Sequence, residues 1–366
     1  MPFTLRLATF NIENLFTRFD FDAFLAGPDS REARYLPPIV QFLGQYGDGD
    51  LSRFDTFRRL VESASVAQDD DKRQHTALSL AATDAHAVAL QEVDGVHALS
   101  RFLQAYYAKL GEPAYRHQVL HEANDPRGID VAMIARDDWP FYSRSHQDLT
   151  PAWLDDTESG RDLLERYPRA RDRASQLRNQ RIFRRDCLEV QFDRGPVTVF
   201  NCHFKSMGGG REKTMGMRQL EAATVREIIT RKFDDPATAL WCVAGDLNDY
   251  TQLIKVFADG TEEVRPQDES GVDPLLEDGF GINLLETLPE TDRWTHYYAW
   301  DRQKTQLDYL IASPALARKM VGSPRIIRGG MPYRVPNTDD LARWPRIGWD
   351  RPKASDHCPV IAEFRI

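Results

Sequence analysis

Leu240-Trp241-Cys242-Val243-Ala244-Gly245-Asp246-Leu247-Asn248-Asp249 carries five apolar residues into a glycine and then into acid and amide side chains. The apolar run has the length of a buried strand, and the glycine tightens the turn that follows. Side chains alternate along an extended chain, so Asp246 and Asn248 share one side. There they can grip a water and a phosphoryl oxygen together. An Asx-rich turn that merely closes a strand is the plainer alternative.

The same design recurs outward in both directions. Short apolar runs predict strands over Leu5–Asn11, Ala87–Gln91, Ile129–Ala135, Cys187–Phe192, Val197–Cys202, Leu240–Ala244, Leu307–Ile311 and Pro359–Phe364. Helical periodicity predicts helices over Phe54–Ser63, Thr76–Thr83, Gly95–Leu110, Lys213–Arg231 and Pro314–Lys319. In the fourth, Met217, Leu220, Thr224 and Ile228 fall on one face, which predicts an amphipathic helix lying on a sheet. Strands alternating with helices make an α/β protein. No short repeat or low-complexity linker divides the chain, so one domain is expected over 1–366, with insertions near 20–55, 140–185 and 259–293. The second insertion holds nine arginines from Arg161 to Arg185.

Polar residues stand at several of these strand ends, where α/β folds place their sites. Asn11 ends the first strand and Glu13 follows it, and Glu92 follows Val88-Ala89-Leu90-Gln91. Either could be a turn cap or a helix-entry residue. His203 and Lys205 lie on one side of the extended segment Val199-Phe200-Asn201-Cys202-His203-Phe204-Lys205, suited to a donor and a cation acting on phosphate. Asp308 sits in an otherwise apolar strand, where a buried carboxylate needs a cation or donors. His357, in Ser355-Asp356-His357, is an obvious partner, because a carboxylate on one ring nitrogen fixes the tautomer. Taken alone, that pair also reads as a structural ion pair.

Composition narrows the field. With 47 Lys and Arg against 56 Asp and Glu, the net charge of -9 does not attract polyanions unless basic residues are concentrated locally. Cys187, Cys202, Cys242 and Cys358 lack C-x-x-C spacing, so neither disulfides nor a zinc site is expected. The N-terminal apolar stretch is too short for a signal peptide, and no run approaches a membrane span. The sequence predicts a soluble, cytoplasmic protein with no membrane anchor.

The order Asn11, Glu92, His203, Asp246-x-Asn248, Asp308 and Ser355-Asp356-His357 resembles the endonuclease/exonuclease/phosphatase superfamily, which includes deoxyribonuclease I and exonuclease III. The resemblance runs from Leu7 to Phe364, and Gly245-Asp246-Leu247-Asn248 and Ser355-Asp356-His357 are its most specific motifs. His203-Phe204-Lys205-Ser206-Met207-Gly208-Gly209-Gly210 and Arg185-Asp186 are similar to the bacterial nuclease-type branch. The resemblance implies a four-layer α/β sandwich, two mixed β-sheets packed face to face with helices outside. It implies Glu92 as the principal metal ligand, with Asn11 beside it and Glu13 or Asp356 assisting. Asp246 would align water, and Asn248 would contact a phosphate oxygen. His357, oriented by Asp308, would face the scissile phosphate, and His203 would serve as general acid. Asn11, Lys205 and Arg185 complete the expected phosphate-binding set.

Hard oxygen ligands favour Mg²⁺ or Mn²⁺. The function expected is metal-dependent phosphodiester hydrolysis by in-line water attack, with DNA or RNA as the substrate. Two alternatives stand beside it: an enzyme for small or lipid phosphoesters, such as an inositol phosphate or a sphingomyelin-like head group, and a non-catalytic phosphate-binding module. The arginine-rich insertion is either a phosphate-binding surface or a solvated helix. Trp294, Tyr297, Tyr298 and Trp300 either flank the site or pack in the core. Arg343, Arg346 and Arg351 are placed to add positive charge at the rim.

Overall fold

The computed structural model describes residues 3–15, 70–125 and 128–366. The insertion expected at 20–55 and the helix expected over Phe54–Ser63 lie outside the described residues. In chain order the strands are β1 (Thr4–Leu15), β2 (Ala87–Val93), β3 (Tyr115–Leu120), β4 (Asp130–Arg136), β5 (Phe141–Ser145), β6 (Cys187–Phe192), β7 (Thr198–His203) and β8 (Trp241–Asp246). They continue as β9 (Gln252–Val256), β10 (Glu262–Pro266), β11 (Ile282–Asn283), β12 (His296–Tyr298), β13 (Gln303–Thr305), β14 (Asp308–Ala312), β15 (Arg325–Ile326) and β16 (Val360–Arg365).

Two sheets of six strands form the frame, ordered β15-β16-β1-β2-β4-β3 and β11-β14-β8-β7-β6-β5. Both are mixed: β1 runs parallel to β2 and β7 parallel to β8, while their other neighbours are antiparallel. Leu7, Ala89 and Met133 of the first sheet meet Val199, Ala244 and Leu310 of the second in one apolar layer. Each fully buried aliphatic side chain of that kind is worth roughly 1.5–3 kcal/mol. Outside, the helices over 70–83 and Gly95–Ala105 cover the first sheet through Leu80, Leu99 and Phe102. The helix Arg211–Lys232 covers the second through Val225 and Ile229. The result is a four-layer α/β sandwich of the expected kind.

Three features differ from the sequence reading. A small third sheet, β10-β9-β13-β12, stands on polar or half-exposed strands that give no apolar run. The arginine-rich insertion is ordered as helices Pro151–Asp155, Glu158–Arg166 and Pro168–Leu177. These pack on the far side of helix Arg211–Lys232, so Met217 and Leu220 face Leu163, Ala170 and Ala174 rather than the sheet. That helix is therefore buried on two opposite sides, not amphipathic. Lastly, Gly245 lies within β8 instead of in the turn after it. Its φ is +143°, and a Cβ there would stand 1.9 Å from the Cys202 carbonyl oxygen, so only glycine lets β8 approach β7 this closely.

All four cysteines are buried and unpaired. Among the described residues no helix is long and apolar enough to cross a membrane.

Candidate active site

Strand register assembles the polar residues at one end of the sandwich. In the first sheet Asn11 is paired with Gln91, and the register slips at the next residue, Glu92. In the second sheet His203 and Asp308 both pair with Asp246, one from each side. His357 lies just ahead of β16 in the first sheet and reaches Asp308 in the second. Buried polar groups tie the sheets together beneath the site: Gln91 Nε2 donates to Asn201 Oδ1 at 2.8 Å, and Asn201 Nδ2 donates to the carbonyls of Leu90 and Ala132.

Asp246 is the hub. Its Oδ2 accepts from Asn11 Nδ2 at 3.0 Å and lies 3.5 Å from His203 Nε2 and 3.8 Å from His357 Nε2. Its Oδ1 accepts from the backbone N–H of Asn248 at 2.9 Å. Burial pushes the Asp246 carboxyl up to about 7, against the pull of His357. On the other face of that ring, His357 Nδ1 lies 2.9 Å from Asp308 Oδ2. Burial alone would lower the His357 pKa, but Asp308, Asp246 and Asp356 hold it well above its ordinary value. The surrounding carboxylates thus favour the charged form of the ring.

Glu92 faces the same space. Its Oε1 is 3.4 Å from Asn11 Nδ2 and 3.9 Å from His203 Nε2, and its Oε2 accepts from the Asn14 N–H at 2.9 Å. Burial, then the nearby Asp356, raises its pKa. Glu13, Asn14, Glu92 and Asn248 all take left-handed φ values between 49° and 64°. For a glutamate that conformation costs on the order of 1 kcal/mol, and residues held there cluster at functional sites.

The remaining expected residues divide. Glu13 is committed to cations, its carboxylate 3.2 Å from both Arg351 Nη2 and Lys353 Nζ and 3.6 Å from Lys72 Nζ. Asp356 lies by His296 and His357, and the three offer ligand atoms within 4.8 Å of one another, as do Asp246, Asp308 and His357. Burial would raise the Asp356 carboxyl, but Lys353 and the two histidines hold it below the usual carboxylate range. Asn248 Nδ2 donates to the Phe204 carbonyl at 3.1 Å. The Lys205 ammonium lies 3.0 Å from the Ser206 carbonyl oxygen and 3.2 Å from Ser206 Oγ, its hydrogen bonds among the described residues. Arg185 is not a free phosphate donor: it is buried, its Nε 3.1 Å from Asp125 Oδ2 and its Nη1 donating to the Phe204 carbonyl. Of the rim arginines only Arg351 reaches the site, since Arg346 pairs with Asp71 and Arg343 caps carbonyls of its own loop. Trp294 and Tyr297 pack in a core cluster, whereas Tyr298 and Trp300 are exposed.

Several contributors carry no separate signal in the sequence. Ser355 Oγ donates to the Asn11 carbonyl at 2.7 Å and accepts from the His357 N–H at 3.0 Å, which joins two ligand-bearing segments. Thr295 Oγ1 accepts from the N–H groups of Leu307 and Asp308. The His296 ring lies against that of His357, centroids 5.1 Å apart. Of these only Ser355 stands in a recognisable motif.

No family model matches the chain, and no curated protein matches it. Among solved structures, D. rerio TDP2 humanized by 14 mutations superposes with a TM-score of 0.50 at 14% identity, over 99% of this chain and 99% of that one. An endonuclease/exonuclease/phosphatase from Beutenbergia cavernae gives 0.48 at 16% identity, over 99% and 72% of the two chains. A family protein from Leptotrichia buccalis gives 0.48 at 11%, over 99% and 100%. The likeness is one of fold, and the fold is the one that the sequence resemblance implies.

Proposed function

We propose that this chain is a divalent-metal-dependent phosphodiester hydrolase that acts on nucleic acid. The observation that carries the reading is the Asp246 carboxylate, flanked by the Nε2 atoms of His203 and His357 and facing Glu92 across the Asn11 amide. Donors, a proton acceptor and carboxylate ligands of this kind, fixed at one point, are what in-line attack on phosphorus requires.

The donor set fits a hard divalent cation. Glu92 and Asp356 offer carboxylate oxygens, burial pushes the Glu92 carboxyl toward neutrality, and Asp308 Oδ1 is buried without a hydrogen-bond partner among the described residues. Glu92 is the principal ligand in this reading, with Asp356 beside it, while Asn11, its Oδ1 accepting from the Glu13 N–H and its Nδ2 turned to Glu92 and Asp246, holds the carboxylates in place. Glu13, already neutralised by Lys72, Arg351 and Lys353, shapes the β1 turn. When bound, such an ion supplies charge stabilisation at the phosphoryl oxygens.

The protein groups have distinct tasks. Asp246, with a pKa near neutrality, orients the attacking water and takes its proton. The His357 imidazolium, held by Asp308, stabilises negative charge on the phosphate. His203 protonates the leaving oxygen. Asn248 aims Asp246 through its backbone N–H and keeps a second amide N–H for a phosphoryl oxygen.

The test is turnover of single-stranded DNA, duplex DNA, RNA and bis-p-nitrophenyl phosphate with Mg²⁺, with Mn²⁺ and with chelator. Metal-dependent cleavage of an oligonucleotide is expected. Turnover of the small ester alone would favour the small-phosphoester alternative, and turnover in chelator would overturn the metal.

A further inference from the structure

A cleft of about 400 Å³ opens between the arginine-bearing helix Pro168–Leu177 and the start of helix Arg211–Lys232. Six cationic side chains line it: Arg169, Arg173, Arg181, Arg184, Lys205 and Lys213. In a chain of net charge -9, that concentration is the local exception which a polyanion requires.

The six are not equivalent. Arg169 is engaged by Glu212 at 3.2 Å and Glu269 at 3.0 Å, and Arg181 by Asp148 at 2.6 Å. Arg173 turns to Gln176 and the Met217 sulfur. Arg184, Lys205 and Lys213 make no ion pair among the described residues. Glu221, which also lines the cleft, offers its Oε2 to the backbone N–H of Lys205 at 2.8 Å. Burial and the neighbouring Arg185 hold the Lys205 pKa below its ordinary value, against the pull of Glu221.

The cleft adjoins the catalytic end of the sandwich. Lys205 is two residues beyond His203, at most about 7 Å of extended chain, and the Phe204 carbonyl between them accepts from Asn248 Nδ2. A phosphate next to one held at His203 is therefore within reach of Lys205, and through it of the cleft that Lys205 lines. The volume admits a nucleotide or two of one strand, not the body of a duplex.

We infer that this cleft is a subsite for the backbone phosphates of a single-stranded nucleic acid flanking the scissile phosphate, with Arg184, Lys205 and Lys213 as its unpaired cations. The inference rests on the phosphodiester-hydrolase reading of the site and extends it to a substrate form.

The experiment measures binding, without turnover, of a fluorescein-labelled 12-nucleotide single-stranded DNA in chelator across a salt series. The unaltered protein is compared with Arg184→Ala/Lys213→Ala. A second double variant, Arg101→Ala/Arg116→Ala, removes the same charge from exposed positions elsewhere. Each phosphate contact on a single strand contributes about 0.7 to the slope of log K against log salt. The cleft variant is expected to bind about 10-fold more weakly at low salt, with a slope flatter by about 1.4, and the control pair to match the unaltered protein. Equal slopes in all three proteins, or equal flattening by both variants, would overturn the subsite. Because no hydrolysis is involved, failure of the catalytic reading appears separately, as absent turnover of bis-p-nitrophenyl phosphate by the unaltered protein.

Discussion

Asp308 Oδ2 lies 2.9 Å from His357 Nδ1, while the other oxygen of the same carboxylate is buried with no hydrogen-bond partner among the described residues. The pair spans the two sheets, Asp308 at the start of β14 and His357 ahead of β16. A side chain committed in this way to one ring nitrogen directs the other nitrogen, Nε2, toward Asp246 and the reaction space. Asp308→Asn keeps the size and removes the charge that maintains the imidazolium. It is expected to lower kcat on bis-p-nitrophenyl phosphate by on the order of 100-fold or more, with KM little changed. A variant with undiminished kcat would reduce the pair to a structural contact.

The Glu92 carboxylate creates a second expectation, read without activity. Its pKa is raised by burial and by Asp356, so its charge opposes folding when no cation is present. The sign follows: a raised carboxyl pKa contributes stability that is present below the unfolded value and lost as pH rises through the folded one. At pH 8 in chelator, Glu92→Gln should therefore melt higher than the unaltered protein, by on the order of 2 °C. Addition of Mg²⁺ or Mn²⁺ should raise the Tm of the unaltered protein and leave that of the variant unmoved. Equal metal-induced shifts in both proteins would remove Glu92 as the ligand.

Gly245 ties the fold to the site. Its missing Cβ allows β8 to sit against the Cys202 carbonyl of β7, and this pairing sets His203 beside Asp246. In Gly245→Ala the strands must part or the backbone must leave its φ of +143°. A loss of more than about 3 kcal/mol in urea unfolding is expected. A loss below about 1 kcal/mol would show that the strands give way easily.

The inner strands were legible because they are buried on both faces. β6 matches its apolar run over Cys187–Phe192, and β2, β4, β7, β8, β14 and β16 differ from theirs by a residue or two at an end. The missed strands lie at edges or in the small sheet; β5 and β10 leave most of their residues half or fully exposed, so they produce no apolar run. The helices within 151–177 were hidden differently. Their buried face is made of Leu163, Tyr167, Ala170, Ala174 and Leu177, small or widely spaced among arginines that dominate the composition. That spacing of three and four residues is helical, and the basic residues between masked it. At the site, the residues that carry charge were visible at strand ends. Thr295 and His296 were not, and Ser355 showed only as part of its motif, because all three act through contacts made only after distant segments meet.

Glu221 offers a pH-dependent expectation that joins the long helix to the basic cleft. It is fully buried, its Oε2 accepting from the Lys205 N–H, and burial raises its carboxyl to about 7 although Lys205, Arg185 and Arg218 pull it down. In the unfolded chain it titrates near 4.5. Between those values the folded protein holds a proton that the unfolded chain releases, so stability falls as pH rises through this window and levels off above it. A displacement of that size corresponds to on the order of 3 kcal/mol. Glu221→Gln keeps an oxygen for the Lys205 N–H and has no proton to lose. Urea unfolding of both proteins at pH 4.5 and pH 8 isolates the effect, because all other titrations cancel in the comparison. The variant should gain stability relative to the unaltered protein by on the order of 3 kcal/mol between the two pH values. If the difference between the two proteins is the same at both, folding does not raise the Glu221 pKa, and burial of its carboxylate is compensated by Arg185, Arg218 and Lys205.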